Sequence, residues 1–309
     1  MNDIALSICM ITFNHEKYIG KAIEGVLKQK TSFSFELLIG EDCSSDNTRN
    51  IVKEYETKYP EIISAQYPST NRGMVNNFLS ILQYASGKYI ALCEGDDYWT
   101  DPYKLQKQVD FLENNPDYGM ISSDIILVDS NGDRIEDTYR VFRQRKYRKP
   151  KVSFFDLLQM NLVNTLTVCV RSQLIKEVIK ELLKDNIQAI YDYSFWLNIA
   201  RKSLVRITEE KTAAYRIHNK GVSNVEGFLS SLWPEAKYYA IVKYCKDNNQ
   251  IISKDEEYIL INTIYILLRL NILSNKKKKE LLSIVLSKRK YVLTLCNVVY
   301  NRIKNKIFG

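Results

Sequence analysis

Lys88-Tyr89-Ile90-Ala91-Leu92-Cys93-Glu94-Gly95-Asp96-Asp97-Tyr98-Trp99 decides how the rest of this chain is read. Lys88 to Leu92 is short, apolar and preceded by the breaker Gly87, which predicts a buried strand. Glu94, Asp96 and Asp97 then crowd onto one glycine-containing loop, and Asp101-Pro102 signals a helix start beyond it. Open α/β sheets bind ligands at the carboxyl ends of their strands. Carboxylates packed this closely repel one another unless a cation neutralises them. Divalent ions such as Mg²⁺ or Mn²⁺ take such oxygen ligands and share them with substrate phosphates. Taken alone, the cluster also fits an acidic surface turn before a capped helix, so its surroundings decide.

Upstream, residues 4–11 are apolar on both faces and predict a buried strand ending in Thr12-Phe13-Asn14-His15-Glu16. Ile19, Ala22, Ile23, Val26 and Leu27 keep helical spacing within residues 17–29. A second strand, 35–40, runs into Glu41-Asp42-Cys43-Ser44-Ser45-Asp46-Asn47-Thr48, whose Ser and Asp suit the cap of a helix over 49–59. A strand over 62–66, the turn Asn71-Arg72-Gly73 and a helix over 74–85 complete the alternation. That pattern predicts an α/β fold with a doubly wound, mostly parallel sheet. Downstream, helices are expected over 104–114, 154–159 and 174–184, and one opening at Tyr191-Asp192. Strands are expected over 120–128, 166–170, 205–208 and 212–215, with a hairpin turn at Asn131-Gly132. Residues 139–151 read as a mobile basic loop, and everything from Phe228 onward as helix.

The 309 residues suffice for one large or two modest domains, and 45% hydrophobic with 26% charged content is ordinary for a globular chain. A net charge of +8 points to an anionic partner without choosing among nucleotide sugar, lipid and nucleic acid. Six scattered cysteines form no C-x-x-C pair, which argues against a zinc site or disulfide framework and fits a reducing cytoplasm. No signal peptide is visible, and the longest apolar stretch, 259–273, is broken by Asn262, Arg269 and Asn271.

Ser7 to Asn14, Glu41 to Thr48, Asn71-Arg72-Gly73, Glu94-Gly95-Asp96-Asp97 and Tyr191-Asp192, in this order and each at a strand end, resemble the family 2 glycosyltransferases of the GT-A fold. The likeness is greatest to bacterial enzymes of capsule, lipopolysaccharide and exopolysaccharide assembly, and covers roughly residues 4–224. It implies a GT-A (Rossmann-like) catalytic domain over 1–224 and leaves 225–309 as a helical C-terminal extension. It also implies an inverting enzyme of hexosyl or N-acetylhexosaminyl type. Such an enzyme takes a nucleotide sugar, UDP-linked by expectation, uses Mn²⁺ or Mg²⁺, and delivers to a saccharide or lipid-linked saccharide.

Residue by residue, the resemblance puts Asp42 on the base or ribose, although a helix cap is the competing role. Thr12, Asn14, His15 and Glu16 fall on the donor rim, and Arg72 on a phosphate, the base or merely a solvated turn. Asp96 and Asp97 match the metal and ribose carboxylates, Asp97 being the expected direct ligand, with His218 reaching the metal or diphosphate. Glu94 stands where the family often has Asp, which leaves its role among the donor contacts open. Asp192 matches the general base, with Tyr191 replacing the usual acidic neighbour, and could equally cap a helix. Trp99, Tyr193 and Trp196 offer faces for acceptor sugars, or simply pack in the core.

Two other functions compete: an inactive nucleotide-sugar scaffold, because of Glu94 and Tyr191, and a basic nucleic-acid binder, which no nucleic-acid motif supports. The expected location is cytoplasmic, peripheral on the inner face of the membrane if the tail binds lipid. Apolar and basic residues interleave from Lys276 to Lys306, which suits a helix lying on an anionic membrane surface. The same stripe would equally pack on the catalytic domain or form a homodimer.

Overall fold

The computed structural model describes residues 4–136, 149–185, 192–219, 228–247, 252–270 and 272–308. The core of the sheet is β1 (Leu6–Thr12), flanked in parallel by β2 (Phe35–Glu41) and β4 (Tyr89–Leu92), with β3 (Ile63–Gln66) outside β2. Helices α1 (Ile19–Leu27), α2 (Thr48–Lys58) and α3 (Met74–Leu82) alternate with them, as the periodicity predicts. Register sets Thr12 opposite Glu41 and Cys9 opposite Leu92. The loops after β1, β2 and β4 therefore open on one edge.

The second half departs from a simple parallel alternation. After β5 (Tyr98–Trp99) and α4 (Lys104–Asn114), β6 (Tyr118–Val128) pairs in parallel with β9 (Leu204–Arg216). Short antiparallel β8 (Cys169–Arg171) joins β4 to β6, while β5 and β7 (Lys151–Val152) add antiparallel to β9. The strand order is β3-β2-β1-β4-β8-β6-β9-β5. Two expected strands, 205–208 and 212–215, are thus one continuous β9. The expected strand over 166–170 is instead a 3-10 turn, Thr165–Thr167, followed by β8. The turn forms because Asn164 and Thr165 carbonyls take the amides of Thr167 and Val168. The hairpin turn is present, with Gly132 at φ 94°.

Helices α5 (Phe154–Gln159), α6 (Ser172–Lys184) and α7 (Asp192–Lys202) cover the sheet. The tail forms α8 (Phe228–Asp247), α9 (Lys254–Arg269), α10 (Asn275–Leu286) and α11 (Arg289–Phe308). Its stripe packs inward: Leu260, Ile264, Leu281, Val285 and Val298 share one buried cluster with Phe154, Tyr193 and Trp196. Leu282, Leu286 and Leu293 remain exposed. Among the described residues no helix is long and apolar enough to cross a membrane. The expected basic loop falls largely outside the described residues, as does Tyr191; Lys149 pairs with Asp156 at 2.8 Å.

One ion pair, between a buried carboxylate and a half-buried guanidinium, fixes the end of β2. Glu41 is fully buried; its Oε2 accepts from Arg49 Nε at 2.5 Å and its Oε1 from the Ser44 amide at 2.6 Å. Arg49→Met would strand that carboxylate without its cation. Stability should fall by about 3 kcal/mol, read from urea unfolding, whereas a loss near zero would show that water replaces the guanidinium.

Candidate active site

The three strand-end loops are stitched to one another before any ligand is considered. Asn14 and Cys43 sit at φ 56° and 60°, the left-handed region that Asn tolerates better than Cys. Cross-loop bonds hold these bends: the Asn14 amide donates to Ser44 Oγ at 2.9 Å, and Ser45 N donates to Asn14 Oδ1 at 2.9 Å. The His15 amide donates to Thr48 Oγ1, and Glu16 accepts from the Asn47 amide. Asn14 and Glu16, expected on the donor, thus spend their side chains on the β2–α2 loop. Asp46, not a serine, takes the Thr48 amide at the start of α2. Phe13, which sequence reasoning passed over, projects from the same edge with 43% of its surface exposed; its signal was an aromatic inside a strand-end loop.

Asp42 is buried and is not a helix cap. Its two oxygens accept from the Arg72 and Gly73 amides at 2.7 and 2.9 Å, locking the Asn71-Arg72-Gly73 turn beside the β2 loop. The Arg72 residue itself is exposed.

The β4 loop brings Thr12, His15, Asp96 and His218 together. Thr12 Oγ1 lies 3.2 Å from His15 Nδ1, and His15 Nε2 lies 3.8 Å from Asp96 Oδ2. His218 Nε2 contacts the same oxygen at 3.0 Å. Gly95 is required here, because a Cβ would stand 2.6 Å from Thr12 Oγ1 and 3.1 Å from His15 Nδ1. Burial works against the Asp96 charge, but the His218 hydrogen bond and both imidazoles outweigh it and hold its pKa below the ordinary value.

Asp97 turns the other way. It is buried, and its Oδ1 accepts the Arg216 amide at 2.7 Å. Burial, then the charges of Asp96 and Glu94, push its pKa well above the ordinary value. Arg216 is a further site residue, for which the sequence carries no separate signal. Its Nε donates to the Asp96 carbonyl at 2.9 Å and its guanidinium lies 4.5 Å over the Tyr18 ring.

Glu94 Oε2 is buried with no partner among the described residues. Burial, then Asp96 and Asp192, push its pKa up to about 8. Asp192 begins α7; its Oδ2 accepts from Thr165 Oγ1 at 2.7 Å and its Oδ1 from the Tyr193 amide at 2.6 Å. Burial nonetheless raises its pKa.

The aromatic acceptor platform is corrected. Trp99, Tyr193 and Trp196 are all buried, so none presents a face to a sugar. Trp99 Nε1 donates to the Leu166 carbonyl at 2.7 Å and Tyr193 Oη to the Leu157 carbonyl at 2.6 Å. A run of aromatics opening a helix gives the same sequence signal whether it faces core or cleft.

For a divalent ion, no group of three His, Cys, Asp or Glu among the described residues forms a ready cage. Asp96 and His218 nonetheless offer one oxygen and one nitrogen side by side. That incomplete set fits an ion that completes its shell with diphosphate oxygens and water.

Residues 7–186 match the model of glycosyl transferase family 2, and the chain belongs to that family. Its fold is GT-A: with TarS of S. aureus in complex with UDP-GlcNAc the TM-score is 0.60 at 18% identity, covering 94% of this chain and 82% of that one. A mannosyltransferase from Pyrobaculum calidifontis, in complex with GDP-Man and Mn²⁺, gives 0.57 at 13%, covering 98% and 84%. In sequence the chain is 34% identical over 217 residues to an uncharacterized protein of Mycobacterium tuberculosis, 70% of this chain but 60% of that protein's length. It is 37% identical over 115 residues to the UDP-Glc:alpha-D-GlcNAc-diphosphoundecaprenol beta-1,3-glucosyltransferase WfgD of Escherichia coli, 37% of this chain and 44% of the enzyme.

Asp42→Ala should leave two amides of the Asn71-Arg72-Gly73 turn without their charged acceptor. Loss of about 2 kcal/mol in chemical denaturation, together with weaker UDP binding in calorimetry, is the expected result. Unchanged UDP affinity would confine Asp42 to a structural part.

Proposed function

We propose that the protein is an inverting, metal-dependent glycosyltransferase moving a sugar from a nucleotide sugar, UDP-linked, to a saccharide or lipid-linked saccharide in surface-polysaccharide synthesis. The observation that carries it is the different setting of two aspartates, Asp96 against His218 on the carboxylate loop and Asp192 against Thr165 at the start of α7. Asp96 faces His218, which favours its charged form, whereas Asp192 is half-buried, accepts from Thr165 and the Tyr193 amide, and has its pKa raised by desolvation. Pairs of carboxyls pushed apart in this way divide charge stabilisation from proton transfer. The relatives supply the substrate class: UDP-GlcNAc in the TarS complex, GDP-Man with Mn²⁺ in the Pyrobaculum enzyme, and a diphosphoundecaprenol-linked acceptor for WfgD.

In this reading the nucleoside lies along the β1 and β2 loops, its base against Phe13 and the turn that Asp42 locks. Asp96 and His218, rather than Asp97, hold the ion. Asp97 serves beneath them, anchoring the end of β9. A divalent ion bound there supplies Lewis-acid stabilisation of the leaving diphosphate. His15, itself bonded to Thr12, backs the same oxygen of Asp96, and Glu94 faces the sugar end of the donor. Asp192 takes the proton of the acceptor hydroxyl at its carboxylate as that oxygen attacks the anomeric carbon from the face opposite the diphosphate. One displacement inverts the configuration.

The pH dependence follows in sign. A base must be deprotonated to act, and burial raises the Asp192 pKa, so activity falls as pH drops through that raised value. Asp192→Asn should reduce turnover by roughly 10²–10⁴-fold with UDP affinity nearly unchanged. Near-parental rates would move the base elsewhere.

The tail keeps a smaller part of its membrane expectation. Exposed Leu282 and Leu286 follow Lys278 and Lys279 on α10, and Leu293 is exposed on α11. Apolar tips beside lysines suit an anionic lipid surface near which a lipid-linked acceptor would lie. Leu286→Glu together with Leu293→Glu should lower co-sedimentation with phosphatidylglycerol vesicles without changing the melting temperature. Equal sedimentation of parent and variant would remove this surface.

A further inference from the structure

The 3-10 turn Thr165–Thr167 lies between the carboxylate loop and α7, and it is bolted down from several sides. Trp99, two residues beyond Asp97, donates its indole N–H to the Leu166 carbonyl at 2.7 Å. Gln108 Nε2 donates to the Thr167 carbonyl at 2.8 Å, and Gln108 is itself fixed by the fully buried Lys104, whose Nζ donates to Oε1 at 2.7 Å. The Lys104 amine also sits 4.2 Å over the Trp99 ring. On the far side Ser122 Oγ and Thr167 Oγ1 are 2.7 Å apart. A turn held this way has little freedom, and from it the Thr165 hydroxyl reaches Asp192 on α7.

We propose that Thr165 is a positioning residue for Asp192, and that the turn carrying it sets the distance between the diphosphate loop and the proton acceptor. The proposal rests on the reading of Asp192 as the base. The geometry supports it in two ways. The Thr165 hydroxyl and the Tyr193 amide each take one oxygen of the carboxylate, which fixes its plane and leaves lone pairs for an acceptor hydroxyl. The same turn is tied through Trp99 to the loop that bears Asp96, so donor and base are referenced to one strut rather than to two independent loops. Glu94, on that loop, is close enough to Asp192 for the Asp192 charge to raise its pKa.

The test uses the full chain with Thr165→Val, which keeps the shape and removes the hydroxyl, and Thr165→Ser, which keeps the hydroxyl. ¹³C NMR titration of aspartate carboxyls, with the Asp192 resonance identified by its loss in Asp192→Asn, reads the bond without any substrate. Thr165→Val should raise the Asp192 midpoint by about one pH unit, because the charged form loses a donor, and Thr165→Ser should restore it. UDP release from UDP-glucose and UDP-N-acetylglucosamine should show kcat down about tenfold in Thr165→Val at nearly constant donor KM. An Asp192 midpoint unmoved in Thr165→Val overturns the proposal, whatever the rates. If Asp192→Asn keeps parental UDP release while the midpoint still moves, the base assignment falls and the positioning of the carboxylate stands.

Discussion

Two neighbouring carboxylates, Asp96 and Asp97, can share a mostly buried loop only because the end of β9 meets them with hydrogen-bonding partners and a guanidinium. Arg216 gives its amide to Asp97 and its guanidinium to the Asp96 carbonyl, and His218 closes on the Asp96 side chain. Without these contacts the loop would hold two like charges in a poorly solvated place, a costly arrangement. The contacts exist because β9 runs parallel to β6, which carries its end to the edge where β1, β2 and β4 also finish. Much of the second half of the sheet can be understood as the support for that meeting, across 119–122 residues of sequence.

The first half of the fold was legible because its signals are local. Alternating apolar strands and amphipathic helices, each ending in a polar loop, leave little choice of architecture. The insertion of β8 antiparallel between β4 and β6 was not legible, since a three-residue strand carries no period of its own. The turn at Thr165–Thr167 was read as strand for the same reason: Leu-Thr-Val has high strand propensity, and only tertiary hydrogen bonds convert it. In the site, the acidic residues, His15 and His218 could be named from sequence, but which of Asp96 and Asp97 faces outward could not. That choice is made by the Arg216 amide, a backbone group with no sequence signature. Trp99, Tyr193 and Trp196 mislead because aromatic residues serve cores and sugar sites alike, and only burial separates the two.

Burial links these parts into one electrostatic unit. Tyr193, the residue after Asp192, lies in the same buried cluster as Leu260, Leu281 and Val298 of the tail, so these helices help to hold the start of α7 and are more than an appendage. Tyr193 shows the connection: it follows Asp192 directly, bonds α5 through the Leu157 carbonyl and packs its ring 5.3 Å from Trp233 of α8. A carboxylate set on the first residue of a helix so firmly packed will move little, which suits the role of base proposed for Asp192.

The central claim is that Asp96, not Asp97, faces the donor diphosphate with a metal ion between them. A crystal structure of the protein grown with UDP and Mn²⁺, with an anomalous difference map at the manganese edge, tests it directly. The account predicts one peak about 2.1 Å from an Asp96 carboxylate oxygen, sharing His218 and oxygens of the diphosphate, with Asp97 still bonded to the Arg216 amide. A peak on Asp97 with Asp96 turned away, or UDP bound in the crevice with no anomalous density beside its phosphates, would contradict it.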